Sequence, residues 1–221
     1  MKLTFTYNKD EDIWCLINKG KTSINSPTPT KTYEELVSEV GEHPDKTSTS
    51  TFIDNYLTRN NFEPLKLAAE YQAAWEQVSA DFKTIAEKVF GVSVCEDLTV
   101  YLTVNNRCPY SIQEKLFFVP ISHSAPIRVA MHELWHFYTW EKFGADEQSR
   151  LGGEKYNDLK EALTVLLNIE CTHLLPDGDI DRGYPQHQEL RGKIIEFWKQ
   201  KPDIEFVWKE AQMFLKYTQQ D

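Results

Sequence analysis

The sequence of 221 residues has little glycine and little proline, and it lacks any long apolar run. It contains 9 glycines and 10 prolines, which excludes collagen-like and low-complexity chains. No stretch of about 18 consecutive apolar residues occurs, so we expect no membrane-spanning helix and no membrane partner. Hydrophobic residues nevertheless make up 41% of the chain and charged residues 26%. This composition is typical of a globular protein and excludes disorder over most of the length.

Positive charge is also scarce. The chain has 24 lysines and arginines against 34 aspartates and glutamates, which gives a net charge of −10. Nucleic-acid binding requires a concentrated basic face, and no block of lysines or arginines marks one. We therefore expect no nucleic-acid partner.

Neither the cysteines nor the N-terminal residues indicate an oxidising compartment. The first residues, MKLTFTYNKDED, lack the apolar stretch of a signal peptide. The cysteines are scattered, and none belongs to a Cys-x-x-Cys pair. We therefore expect reduced, structural thiols in a cytoplasmic protein. The cysteines are Cys15, Cys95, Cys108 and Cys171.

The length predicts a single domain over residues 1–221, because a domain of ordinary size has about 150 residues. Alternating apolar residues followed by a second apolar run predict a β-hairpin within residues 1–20. Residues 21–62 contain several serines, threonines and prolines, and we interpret them as a loop-rich linker with short helices. Residues 64–221 are then expected to form the core.

Within the predicted core, a long helix precedes two strands. Apolar residues spaced by three and four predict a helix over residues 64–90, which Gly91 ends. Residues 98–104 and 115–121 are predicted to be strands. Pro120 favours an edge position for the second strand, since proline cannot donate a ladder hydrogen bond.

After residue 125 the periodicity is helical. The polar segment 144–153 is interpreted as a loop between two of these helices. An order of strands and a long helix, followed by a mostly helical C-terminal half, predicts an α+β fold with a small mixed or antiparallel sheet. The predicted C-terminal helices cover residues 126–143, 156–171, 186–200 and 203–218.

Residues 132–136 read His-Glu-Leu-Trp-His. On a helix, His132 and His136 lie on one face about one turn apart. Both imidazoles can therefore bind one Zn²⁺ ion, at Zn–N distances of ~2.0–2.1 Å. Glu133 is the next residue along, where it can take a proton from a water molecule on the open side of the metal.

The surroundings of this motif strengthen the metal interpretation. Between Arg128 and Glu141, Glu133 is the only charged residue, and most of its neighbours are apolar. Two histidines and a glutamate are costly to bury in such a helix unless something satisfies their polar atoms. A metal ion would do so. The alternative is a pair of hydrogen-bonded core histidines beside a solvent-exposed glutamate.

A site with two histidines needs a third protein ligand. The arrangement His-Glu-x-x-His-x-x-Gly-x-x-His is excluded, because Thr139 and Lys142 occupy its glycine and last histidine positions. Glu161, near the start of the next predicted helix, is the favoured third ligand. Its alternative role is that of a solvated glutamate in a first helical turn, favoured there by the helix dipole. The competing candidates are Glu154, Asp158, Glu170 and His173.

The motif together with the downstream glutamate, over residues 126–170, resembles the gluzincins, a clan of zinc metallopeptidases. The resemblance implies a zincin-like fold, one Zn²⁺ per chain and a peptide or protein substrate. It also implies that His132, His136 and Glu161 are ligands and that Glu133 is the general base. Gluzincins bind extended substrate along the edge strand of a sheet, and residues 116–121 are the candidate for that strand.

The resemblance also has departures. Thermolysin-like gluzincins carry an aspartate four residues after the ligand glutamate, as the partner of a ligand histidine. Val165 stands there in this sequence, and Asp158 is the candidate for that orienting role. The aminopeptidase signature GxMEN is absent, so no preference for amino termini is implied. The residue that stabilises the oxyanion of the intermediate stays open among Tyr156, His173, Arg182, Tyr184 and His187.

Three further alternatives concern a second cation site and the function of the chain. Aspartates 177, 179 and 181 alternate as in a calcium loop, but Gln188 occupies the closing acidic position, so we interpret the segment as a turn. The alternative function is a catalytically silent zincin-like domain that binds zinc or a partner. A third hypothesis is a helical interaction protein in which the motif holds no metal.

Overall fold

The fold is that of a computed structural model, which describes residues 2–23, 25–176 and 178–218. The predicted α+β class is confirmed, because the chain combines many helices with a small mixed sheet. The strands are β1 Leu3–Thr6, β2 Leu98–Thr103, β3 Tyr110–Ser111 and β4 Leu116–Pro120. The helices are α1 Lys9–Lys19, α2 Lys31–Val40, α3 Lys46–Arg59, α4 Pro64–Phe90, α5 Pro126–Leu151, α6 Gly153–Leu163, α7 Leu167–Glu170, α8 Gln188–Gln200 and α9 Ile204–Thr218.

The chain divides into two compact units. The first contains Met1–Gln77 and Cys95–Ala130, and it includes the sheet. The second contains Val78–Val94 and Met131–Asp221, and it includes the His-Glu-x-x-His residues. In the described part of the chain, no helix is long and apolar enough to cross a membrane.

The sheet of the first unit has the order β1-β2-β4-β3. Strand β2 pairs in parallel with both β1 and β4, while β3 runs antiparallel to β4. Strand β4 is therefore an inner strand over the part that β3 covers, and the expected edge position is wrong there. Pro120 lies beyond the two residues of β3, opposite Thr103 of β2. Its missing N–H therefore costs no hydrogen bond to β3.

The predicted N-terminal hairpin is wrong, because residues 9–19 form helix α1 instead of a second strand. The side chain of Asn8 caps this helix by accepting from the backbone N–H groups of Asp10 and Glu11. Its apolar run is short, and periodicity alone does not distinguish a buried strand from a buried helix over such a length. The cap and the acidic first turn decide for the helix.

Helices α2 and α3 occupy much of the region that we interpreted as a linker. Leu36, Phe52 and Ile53 are fully buried, and α3 packs against both α1 and α2. These helices therefore contribute to the core of the first unit. The prediction that the core begins at residue 64 is therefore incomplete.

In the second unit, the C-terminal half of α4 packs on the motif helix. The ring centroids of Phe90 and Trp135 are 4.9 Å apart, and those of Phe82 and Tyr138 are 6.4 Å apart. All four side chains are buried. The predicted long helix over 64–90 is confirmed, and Trp75, Phe82 and Phe90 on it are buried.

The first helical segment of α5 ends at Gly144, as predicted, but a second helical segment follows it directly within the same element. Its backbone is non-helical at Gly144, with φ 24° and ψ −138°, but helical structure resumes and continues to Leu151. The expected loop over 144–153 is therefore wrong for most of its length. Glu147 explains the difference, because its Oε2 accepts hydrogen bonds from Trp208 Nε1 at 2.8 Å and Gln212 Nε2 at 2.6 Å. A polar segment stays helical when it is bonded to a neighbouring helix.

The remaining C-terminal helices agree with the prediction in type and order. The helix predicted over 156–171 is interrupted by a turn of 3₁₀ helix at Thr164–Leu166, between α6 and α7. A second short 3₁₀ turn at Thr172–Leu174 follows α7. A third, Pro185–His187, leads directly into α8.

A buried carboxylate joins α1 to the end of β2. Asp12 is fully buried, and its Oδ1 accepts hydrogen bonds from Thr103 Oγ1 at 2.6 Å and from the backbone N–H of Val104 at 3.0 Å. Burial raises the pKa of Asp12 to about 6, although these hydrogen bonds act in the opposite direction. The charged form is therefore disfavoured in the folded protein.

We expect Asp12 to make the protein less stable as the pH rises from 4 to 7. The folded protein binds this proton more tightly than the unfolded chain, so stability is greatest below the unfolded pKa and falls as the pH rises through the folded pKa. A shift of about two units corresponds to about 3 kcal/mol. In Asp12→Asn, the part of the decline in the free energy of unfolding that comes from Asp12 should disappear. Urea unfolding at pH 4, 5, 6 and 7 measures it. The exposed Asp10→Asn on the same helix is the control, and a decline of equal size in Asp12→Asn would contradict the prediction.

Candidate metal centre

Helices α5 and α6 bring the three predicted ligands together. His132 and His136 lie one helical turn apart on α5, and their ring centroids are 4.6 Å apart. Glu161 comes from α6 and is 5% exposed. One side-chain atom of each residue lies within 4.8 Å of the other two, which makes this a group that could hold a metal ion.

The distances within this group resemble a coordination shell more than a hydrogen-bonded cluster. His132 Nε2 is 3.5 Å from Glu161 Oε2, and His136 Nε2 is 3.5 Å from Glu161 Oε1. An N–H···O hydrogen bond is usually ~2.7–3.2 Å long. Two ligand atoms at ~2.1 Å from a tetrahedral zinc ion are ~3.4 Å apart. The observed spacing therefore suits a shared cation.

The second ring nitrogen of His132 is held by a carboxylate from a distant loop. Its Nδ1 is 2.6 Å from Oδ2 of Asp181. An ionised carboxylate can only accept, so Nδ1 carries the proton, and in the neutral imidazole Nε2 keeps its lone pair for a ligand. This is the usual arrangement around a metal-binding histidine.

Asp181 is itself fixed by hydrogen bonds to its main chain. Asn168 Nδ2 donates to the backbone carbonyl of Asp181 at 2.7 Å, and the backbone N–H of Asp181 donates to Asn168 Oδ1 at 2.7 Å. On the side chain, Thr164 Oγ1 lies 3.0 Å from Asp181 Oδ1. Asp181 is 3% exposed, so this loop residue is anchored as firmly as a residue of the core.

The electrostatics of the group favour one neutral and one charged imidazole in the metal-free chain. Burial lowers the pKa of His136 to about 3, which leaves it in the neutral form that binds metals. Burial also lowers the pKa of His132, but the carboxylate of Asp181 outweighs it and holds that pKa well above its usual value. The pKa of Asp181 is correspondingly depressed: burial raises it, but His132 and Arg191 lower it more.

Glu133 lies beside His132 on α5 and, like Glu161, is buried. It is 5% exposed, and its Oε2 has no hydrogen-bond partner among the residues that the structure describes. Burial raises the pKa of Glu133 to about 8. A buried carboxylate oxygen without a partner calls for an explanation, and a base whose pKa lies near neutrality suits proton transfer.

Lys160 is a charged neighbour that the sequence analysis missed. It is 4% exposed, and its Nζ is 2.7 Å from Glu161 Oε1. Burial raises the pKa of Glu161, but His136 and this ammonium group lower it well below its usual value. Glu161 is therefore ionised at neutral pH. Neither composition nor spacing predicts this contact of Lys160, because it depends on which side of α6 is buried.

Asp158 does not take the orienting role that we predicted for it. Its Oδ1 is 3.0 Å from His187 Nε2, whereas the carboxylate on Nδ1 of His132 belongs to Asp181. His187 is 3% exposed and packs edge-on against Tyr184, with ring centroids 5.8 Å apart. A role of His187 or Tyr184 in stabilising the oxyanion of the intermediate stays a prediction.

The other candidates lie elsewhere in the second unit. Glu154, His173 and Arg182 are exposed. Glu170 Oε1 accepts from Trp198 Nε1 at 2.8 Å, and Tyr156 is buried against Trp208. None of these residues belongs to the ligand group found within the described residues.

The segment with three alternating aspartates contributes one described side chain to this centre, that of Asp181. Asp177 lies outside the described residues. Asp181 holds His132, as described above. The third of the three aspartates is therefore the one that belongs to the centre. Its position in the sequence does not indicate this, because it lies 49 residues after His132.

No family model matches the chain, and neither a curated protein nor a solved structure matches it.

We expect Asp181→Asn to weaken metal binding by about 10–100-fold, because the loss of an orienting partner of a ligand histidine typically has that effect. Competition titration of Zn²⁺ against a chelating dye would measure the change. Asp146→Asn, an exposed aspartate on α5, is the matched control. Unchanged affinity in Asp181→Asn would show that the hydrogen bond to His132 does not support a ligand.

Proposed function

We propose that the chain is a zinc-dependent hydrolase that cleaves peptide bonds, with a gluzincin-like centre in a zincin-like form of the α+β fold. His132, His136 and Glu161 are the metal ligands, and Glu133 is the general base. The observation that carries the proposal is the pair of 3.5 Å distances from the two Nε2 atoms to the carboxylate of Glu161. The unpartnered, buried oxygen of Glu133 on the adjacent position of α5 supports it.

The chemistry of the donors favours zinc over calcium and magnesium. Two imidazole nitrogens and one carboxylate oxygen are a typical catalytic zinc set, which leaves a fourth tetrahedral position open. Calcium and magnesium prefer sites made of oxygen ligands only. The three residues therefore fit a catalytic zinc ion better than a structural zinc ion, which would have four protein ligands.

The chain's own residues would divide the chemical work among them. A zinc ion bound here would supply Lewis acidity and lower the pKa of a bound water molecule to ~7. Glu133 would be the residue that moves a proton, accepting it from the attacking water and returning it to the leaving amine. Although burial raises the pKa of Glu133 to about 8 in the metal-free chain, a nearby cation favours its ionised form. Asp181 keeps His132 in the tautomer that binds through Nε2.

One zinc ion per chain is the expected result for protein purified without chelators, as measured by inductively coupled plasma mass spectrometry. His136→Ala should lose it, because two donors alone hold the ion too weakly to survive purification. His173→Ala, an exposed histidine in the same unit, should keep it. Zinc-free wild-type protein, or full zinc content in His136→Ala, would refute the assignment of the ligands.

Glu133→Gln tests the reaction separately from the metal. The variant should keep its zinc, since Glu133 is not a ligand, and its kcat/KM on peptides should fall by about 10²–10⁴-fold through the loss of proton transfer. Glu141→Gln, an exposed glutamate on the same helix, is the matched control. Activity at the wild-type level in Glu133→Gln would remove the general base from the proposal.

The alternative function is a zincin-like domain that binds zinc or a partner without catalysis. One observation favours it: strand β4, the candidate for substrate binding, pairs with β3 at Leu116 and Phe117. At these two residues the edge of β4 is therefore closed to strand addition. A broad peptide library distinguishes the two functions, because zinc-loaded wild-type protein that cleaves no peptide favours the silent domain.

A further inference from the structure

Arg191 on α8 is a buried cation whose contacts converge on the metal centre. Its side chain is 4% exposed. Nη2 donates to the backbone carbonyl of Asp181 at 2.6 Å and lies 3.0 Å from its Oδ1, while Nη1 donates to Thr164 Oγ1 at 2.8 Å. A guanidinium group presents its donors in a rigid fork. Arg191 therefore fixes both the main chain and the side chain of Asp181.

This arrangement gives each oxygen of the Asp181 carboxylate a separate partner. Oδ1 faces Arg191 and Thr164, and Oδ2 remains for Nδ1 of His132. Thr164 Oγ1 also lies 2.8 Å from the backbone carbonyl of Glu161. Arg191 thus contacts Asp181, which is bonded to the ligand on α5. It also contacts Thr164, which lies against the ligand on α6.

The backbone of the loop is shaped for this guanidinium. Gly183 has a φ of +59°, a conformation that residues with a side chain rarely adopt. A Cβ atom there would lie 2.6 Å from Arg191 Nη1 and 2.7 Å from Cζ. The absence of a side chain at Gly183 therefore allows the loop backbone to lie directly against the guanidinium.

We infer that Arg191 is a positioning residue for the metal centre and that docking of the loop over residues 178–184 on Arg191 is coupled to metal binding. The inference rests on the proposed function, since it requires that His132 and Glu161 bind a metal. Arg191 acts through Asp181 and Thr164. Coupling is reciprocal, so a change that loosens the loop weakens metal binding, and bound metal holds the loop more firmly.

Zinc affinity of Arg191→Lys is the direct test. Lysine keeps the positive charge but loses the fork, so it cannot hold Asp181 and Thr164 together. We expect the dissociation constant for Zn²⁺, measured by competition with a chelating dye, to rise by about 10–100-fold, as for other losses behind a ligand histidine. Arg182→Lys changes an exposed arginine of the same loop and should bind zinc as the wild type does.

A spectrum distinguishes positioning from a general loss of structure. The visible absorption band of Co²⁺ bound in place of zinc should differ between Arg191→Lys and the wild type. The circular dichroism spectra of the two proteins should be equal. Equal zinc affinity and an equal Co²⁺ spectrum in Arg191→Lys and wild type would overturn the inference while leaving the metal centre intact. Wild-type protein that binds no zinc would instead overturn the proposed function, and the inference with it.

Hydrogen exchange of the wild-type protein keeps the inference testable if Arg191→Lys does not fold. Backbone amides of residues 178–184 should exchange more slowly in the presence of Zn²⁺ than in its absence. The amides of α9, remote in sequence from the motif, serve as the internal reference. Equal exchange of the loop with and without zinc, in protein shown to bind the metal, would overturn the coupling.

Discussion

The hydrogen bond between Asp181 and His132 is the interaction on which the candidate centre depends. In the neutral imidazole it selects which ring nitrogen carries the proton, and it therefore determines that Nε2 is the nitrogen whose lone pair is available to a metal. That nitrogen faces Glu161, which His136 also approaches. Without the carboxylate, the partly exposed ring of His132 would have no fixed tautomer. The geometry of the three-residue group is thus set by a residue that is not a ligand.

The parts of the site that the sequence predicts are those that regular structure imposes. Two histidines four residues apart must share a face of a helix, and the apolar stretch around them indicates that the face is buried. Glu161 precedes a strongly apolar run on the next helix, so its direction follows from periodicity in the same way. The α+β class and the long helix α4 are predictable for the same reason, because repeated spacing over many residues outweighs local ambiguity.

The parts that the sequence misses depend on contacts between distant segments. Asp181 lies in an irregular loop, and only the folded chain brings it to His132. Lys160 and Arg191 look like ordinary charged residues of helices, yet both are buried. Helix α1 was mistaken for a strand because its apolar run is short and because the capping role of Asn8 was not recognised. Local patterns carry no information about which polar side chain meets which partner.

The balance of buried charge gives the strongest reason to assign Glu133 a task. Asp181 has Arg191 as a cationic partner at 3.0 Å, and Glu161 has Lys160 at 2.7 Å. No hydrogen bond to Oε2 of Glu133 exists within the described residues. A buried carboxylate oxygen without a hydrogen bond destabilises a protein, whereas the ion pairs of Asp181 and Glu161 show that this fold can supply a close cationic partner where stability requires one. Burial raises the pKa of Glu133 to about 8 and outweighs His132 and Lys160, which lower it. A buried carboxylate of raised pKa beside two histidines is a feature that function explains better than stability does.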